Sequence, residues 1–292
     1  MSAEPIRKAS CQIDLEQAFK DLPSLPTVVT KVLQIADNDR ASASEIERAI
    51  ACDQAITAKL LRVVNSPYFG LSGQIYDVAQ AVVIMGFHQV RNLVLSIGAA
   101  STFHAKSPLS RQVQATLWKH AFGMAVGAEV IARKKNLDTR TVPTVFIGGM
   151  LANIGSLFLL REKPLDYVTL AKKAEVSGIS YSVLEHEQFG ISHAKIGAEL
   201  CVRWRMPSEF VLLIGRHEGP FDGEPIPQLY SIHAADRLSQ SLIKNADPTG
   251  LSWRADPQVE EWLNLTDEDR GWIYQESMMR LHSASEIMGI LS

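Results

Sequence analysis

The chain has three cysteines in 292 residues, Cys11, Cys52 and Cys201, far apart and odd in number. No C-x-x-C pair is present, which excludes a disulfide framework and a zinc knuckle and leaves buried, reduced thiols as the expectation. Like charge never runs longer than Arg133-Lys134-Lys135, and the formal net charge is −3. A nucleic-acid binder needs a basic face, so no nucleic-acid partner is expected and the triplet reads as a solvated helix end. Residues 1–20 lack the apolar stretch of a signal peptide, so the protein is expected to be cytoplasmic. The longest uncharged run, Thr141 to Leu160, is interrupted by Pro143, Gly148, Gly149, Asn153 and Gly155. It reads as a buried core helix, and no membrane span is expected. Those glycines are not followed by the lysine and hydroxyl of a phosphate-binding loop, so close helix contact is their better explanation. No G-x-S-x-G elbow occurs. Sustained period-2 alternation is also missing, so no strand is expected.

What is present is helical punctuation. Val28, Val29, Val32, Leu33 and Ala36 recur at helical spacing after the turn Leu22-Pro23-Ser24-Leu25-Pro26. Ser42-Ala43-Ser44-Glu45 has the form of a capping box, opening a helix with Ile46, Ala49 and Ile50 on one face. Asp53 caps the next helix, striped by Ile56, Leu60, Leu61 and Val64 and stopped at Asn65-Ser66-Pro67. An apolar segment from Val78 to Ala100 breaks near Gly86, and Ser101 to Ser110 reads as a linker. Further helices are expected over Leu117–Arg133, Val145–Leu160, Tyr181–Glu187, Ser192–Trp204, Ser208–His217 and Leu229–Ile243. Phe221 to Pro227 reads as a loop, and Thr266-Asp267-Glu268-Asp269 opens a last helix. The fold class is all-α, a multi-helix bundle.

Chemistry is hinted at only by the histidines. His120, His193 and His217 stand in order with Asn153 and Asp236. Imidazoles and carboxylates suit first-row divalent metals, and a bridging aspartate lets two ions share a nucleophilic water. Alternatively, each histidine is satisfied by a backbone carbonyl or water; His88, His104, His186, His233 and His282 are read that way.

Several strings resemble the HDOD family: Leu22 to Pro26, Asp53 to Leu61, Asn65-Ser66-Pro67-Tyr68-Phe69-Gly70, Ala81 to Gly86, and Val90 to Leu95. Trp118-Lys119-His120, Gly149 to Gly155, His193 to Gly197, Trp204 to Pro207 and Arg216-His217 continue the likeness, which covers roughly residues 20–220. The resemblance implies an HD-like helical core, related to metal-dependent phosphohydrolases named for an adjacent His-Asp pair. Here that pair is Ala152-Asn153: one ligand is deleted, and an anionic bridge becomes a neutral amide. A His-His pair of the cyclic-dinucleotide-cleaving relatives is here Arg216-His217, which puts a permanent positive charge where a cation would sit. Glu218 and Asp222-Gly223 faintly echo those enzymes, without the Gly-Tyr-Pro that should follow.

The resemblance divides the chain into an extension (1–20), an N-terminal helical subdomain (21–105), an HD-like subdomain (106–220) and a C-terminal helical extension (221–292). It implies a non-catalytic bacterial signal-transduction module that docks other signalling proteins, namely kinase, receiver or cyclic-dinucleotide enzymes. Asn65, Tyr68 and Phe69 are the candidate partner contact, against the alternative that Asn65 caps a helix and the aromatics pack inside. No cofactor is expected. The alternative is a single divalent ion (Fe, Mn, Ni or Zn) held among the vestigial ligands His120, Asn153, His193, His217 and Asp236. Two other functions stay open: a metal-dependent phosphohydrolase of a nucleotide or cyclic dinucleotide, with Arg216 on a phosphate, and a sensor that binds a nucleotide without cleaving it. Trp253, Trp262 and Trp272 offer apolar material for packing or for a homodimer.

Overall fold

Helices begin where a short polar side chain meets an apolar stripe. Asp53 Oδ1 accepts from the amides of Ala55 and Ile56 at 3.0 Å each, and Glu45 reaches back to the Ser42 amide at 2.8 Å. Thr266 and Asp269 cap each other reciprocally, both at 3.1 Å, satisfying amides that have no partner inside the helix.

The computed structural model describes residues 13–22, 24–36, 42–244, 251 and 253–283. Cys11 and Pro23 lie outside them. Among the described residues there is no strand. The chain runs α1 (Leu15–Lys20), α2 (Thr27–Ala36), α3 (Ala43–Ala51), α4 (Gln54–Val64), a 3-10 turn (Pro67–Phe69), α5 (Val78–Met85), α6 (Phe87–Ala100) and α7 (Pro108–Lys134). It continues with α8 (Thr141–Leu151), α9 (Ile154–Glu162), α10 (Pro164–Ser177), α11 (Tyr181–Phe189), α12 (His193–Arg203) and α13 (Ser208–Arg216). The last three are α14 (Pro227–Lys244), α15 (Pro257–Leu263) and α16 (Asp267–Ser283).

The expected break at Gly86 is present, with φ at 86° between α5 and α6. Two boundaries differ from expectation. The linker ends at Ser107, whose hydroxyl caps the Ser110 amide, and α7 starts at Pro108 rather than near Leu117. Proline at the first helical position costs nothing, because its missing N–H had no partner there. The apolar run from Thr141 to Glu162 is two helices, α8 and α9, parted at Ala152-Asn153 and almost wholly buried.

The core is built on α7, which packs along α14 and α8. Close approach depends on glycine. A Cβ on Gly149 would stand 2.8 Å from the Ala125 amide nitrogen on α7, and one on Gly155 would stand 2.1 Å from the His193 carbonyl oxygen. Near the N-terminus, α1 reaches α9: Phe19 stacks on Phe158 at 4.9 Å, and Arg161 donates to the Asp21 carbonyl. The cysteines divide. Cys201 is buried, which pushes its thiol up to about 12, whereas Cys52 is exposed, contrary to the expectation of a buried thiol.

Candidate functional site

Four helices bring the site together. His120 comes from the middle of α7, His193 from the first turn of α12, His217 from the end of α13, and Asp236 from α14. Gly155 lets α9 lie directly against the start of α12 and so fixes where His193 stands.

His193 Nδ1 lies 2.7 Å from Glu185 Oε2, and its Nε2 lies 3.3 Å from His217 Nε2. His217 Nδ1 in turn faces the Ile214 carbonyl at 2.8 Å. A carbonyl only accepts, so His217 carries its proton on Nδ1 and presents a lone pair at Nε2. His193 supplies the proton that fills the gap between the rings. Glu185 receives four donors: the His193 amide and ring on one oxygen, and the hydroxyls of Tyr167 (2.6 Å) and Ser156 (3.0 Å) on the other.

Ionisation follows from this wiring. Burial alone would lower the His193 pKa, but the Glu185 charge and hydrogen bond outweigh it and raise the ring to about 9. Burial would raise Glu185, but the His193 charge, its ring and amide hydrogen bonds and the Tyr167 hydroxyl bring it below its ordinary value instead. His217 is pushed down, first by burial and then by the charge on His193. The site is therefore a buried ion pair, Glu185 with His193, leaning on a neutral imidazole.

His120 and Asp236 form a second pair, Nε2 to Oδ1 at 2.9 Å, with the Ser239 hydroxyl 3.1 Å from His120 Nδ1. Burial raises the Asp236 carboxyl, but the His120 hydrogen bond and charge, followed by His217, hold it well below the carboxylate range. The Asp236 charge acts on both His193 and His217, so the two pairs share one electrostatic neighbourhood.

Of the sequence-derived ligands, His120, His193, His217 and Asp236 are brought into this neighbourhood. Asn153 is buried too, but its amide donates to the Met124 sulfur at 3.0 Å. Arg216 does not take the place of a cation. Its guanidinium turns to the following loop, donating to the Pro220 carbonyl at 2.9 Å and pairing with Asp222. Arg237 is the arginine whose charge acts on Asp236. His233, set aside from sequence, is buried and bonded to the His217 carbonyl at 2.9 Å.

Asn65, Tyr68 and Phe69 are committed internally. The Asn65 side chain bonds both the amide and the carbonyl of Ile75 at 2.7 Å, and the Tyr68 hydroxyl bonds Glu129. The Tyr68 ring packs on Phe122 and Phe146, and Phe69 is partly buried against the same core.

Sequence reasoning missed Glu185, Tyr167, Ser156 and Ser239. Among the described residues, the donors that would suit one ion are His193, His217 and Glu218, whose ligand atoms lie within 4.8 Å of one another. A single ion fits there if the His193 proton leaves. A second ion would need a bridging carboxylate, and Asn153 offers a neutral amide turned toward Met124.

The profile of the HDOD domain matches residues 22–220. The chain belongs to the HDOD family. Among curated proteins it is 27% identical over 229 residues to an uncharacterized protein of Treponema pallidum (strain Nichols), covering 78% of this chain and 44% of that one. The chain thus spans under half the length of this curated relative. A solved structure of a provisionally named signal transduction protein from Marinobacter aquaeolei VT8 has a TM-score of 0.74 at 23% identity, covering 96% of this chain and 62% of that one. A provisionally named phosphohydrolase from Shewanella amazonensis SB2B has a TM-score of 0.72 at 20% identity, covering 97% of this chain and all of the other. At these identities the likeness is one of fold.

Proposed function

We propose that this HDOD protein is a non-catalytic signal-transduction module that works through protein–protein contacts. The observation that carries this reading is the mutual satisfaction of the old ligands. His193 and His217 bond each other, His120 bonds Asp236, and Asn153 turns to Met124. Hydrolysis by two metal ions needs a shared anionic bridge to hold both ions and the attacking water, and neither Ala152 nor Asn153 supplies one.

The Asn65–Gly70 turn then serves docking indirectly. Asn65 fixes Ile75, and beyond it Tyr76 and the α5 residues Val83 and Ile84 stand exposed, Val83 by 81%. Those exposed apolar side chains suit an apolar partner surface better than the enclosed Tyr68 ring. Partners among kinase, receiver or cyclic-dinucleotide enzymes are consistent with the signal-transduction name of the Marinobacter relative.

A second reading is favoured by the His193, His217 and Glu218 cluster: one Fe, Mn, Ni or Zn ion with a structural or sensory role. Incubation of the purified protein with cyclic dinucleotides and nucleotides, in the presence of each of these ions, separates the readings from catalysis. Unchanged substrate is expected throughout. Turnover that disappears in His217→Ala would overturn the non-catalytic reading.

A further inference from the structure

The triplet Arg133-Lys134-Lys135 at the end of α7 is exposed at Arg133 and Lys134, yet each side chain has a partner. Lys135 Nζ donates to the carbonyls of Trp262 and Leu263 at 3.0 Å each, capping the end of α15, and sits over the Trp262 ring at 5.1 Å. Lys134 pairs with Asp269 in the first turn of α16 at 2.6 Å and lies over Trp272 at 5.3 Å. Arg133 pairs with Glu129 on its own helix at 2.8 Å. Glu129 joins three parts of the chain. One oxygen also receives Arg280 from the last turn of α16 at 3.4 Å, and the other accepts from Tyr68. Burial, then the Glu129 charge, raise the Tyr68 hydroxyl well above its ordinary value, so it keeps its proton and donates.

We propose that α15 and α16 form a salt-governed clasp that docks as a unit on the basic end of α7, with Glu129 passing its docked or undocked state to the Tyr68 turn. The apolar anchoring is Val259 and Leu263 on α15 and Ile273 and Tyr274 on α16, with Trp262, Leu265, Met278 and Leu281 partly buried against the same core. The Ser277 hydroxyl is buried against the body with no partner. The attachments that add to this are charge pairs and rings over ammonium groups, and those near solvent weaken as salt shortens the screening length. Undocking takes Arg280 from Glu129, leaving a carboxylate that also holds Tyr68 with one cation fewer. By linkage, loosening Tyr68 must loosen α16 to the same degree. The clasp lies beyond residues 22–220, so it is a feature of this chain's C-terminal part rather than of the matched domain. It holds whether or not the protein docks partners.

Amide hydrogen exchange by mass spectrometry on the full chain, at about 0.05 and 0.5 M NaCl, tests it. In high salt, residues 257–283 are expected to exchange about tenfold faster together while α8 is unchanged. Arg280→Gln and Asp269→Asn, both at partly exposed sites, should reproduce this at low salt. Arg280→Gln should also speed exchange at 66–70, and Tyr68→Phe should speed it in α16. Salt-indifferent exchange in 257–283, or unchanged protection at 66–70 in Arg280→Gln, would overturn the proposal.

Discussion

Burying a carboxylate and an imidazolium costs several kcal/mol for each ion, which their mutual attraction returns only when every remaining polar site is bonded. Glu185 and His193 meet that condition, with four donors on the carboxylate and both ring nitrogens engaged. Removing one partner leaves the other buried and uncompensated, so Glu185→Gln is expected to lower stability by about 3–5 kcal/mol in urea denaturation. The pH dependence has a definite sign. Because His193 is raised from 6.5 to about 9, its contribution is full below pH 6.5 and is lost as pH rises through about 9. Glu185 is lowered, so its contribution is present above 4.5 and is lost as pH falls through the depressed value. Metal-free wild type should therefore weaken toward pH 9, and Glu185→Gln should lack that alkaline decline. His120, His193, His217 and Asp236 were legible from sequence because their order matches a known ligand pattern. Glu185 matches none. Its signal was its place on the buried side of α11, one turn after Tyr181 and one before Phe189, where an unpaired acid would be too costly to keep.

At the scale of elements, the site depends on how closely α9 meets α12. Gly155→Ala would drive a methyl group into the His193 carbonyl, at 2.1 Å, and two backbones cannot yield as a flexible side chain can. A loss of about 1–3 kcal/mol is expected in thermal unfolding, with α12 displaced from His217. Gly148, Gly149 and Gly155 were readable as close-contact residues because no phosphate-loop lysine follows them. Helix starts at Ser42 and Asp53 and the break at Gly86 were readable for similarly local reasons. The first turns of α7 were not, because Pro108 and its polar neighbours look like a linker until Ser107 is seen capping Ser110. Three helices went unnoticed: α1 and α15 are short, and the exposed face of α10 mixes Lys172 and Lys173 with Leu165 and Val176, which blurs its stripe.

At the scale of the whole molecule, the chain's ends and middle are tied through α7. Its centre supplies His120, Glu129 receives Tyr68 and Arg280, and its last residues hold α15 and α16. Composition could not reveal this, because three adjacent basic residues look alike whether they face water or cap another helix. The proposal of a docking module over a two-metal hydrolase is tested at the same scale, since two ions would need donors from α7, α12, α13, α14 and the α8–α9 junction at once. The most direct measurement is the metal content of the purified, untagged protein by elemental mass spectrometry, beside His217→Ala. No more than one transition-metal ion per chain is expected, and any ion found should be lost in the variant. Two ions per chain, both lost in His217→Ala, would contradict the account.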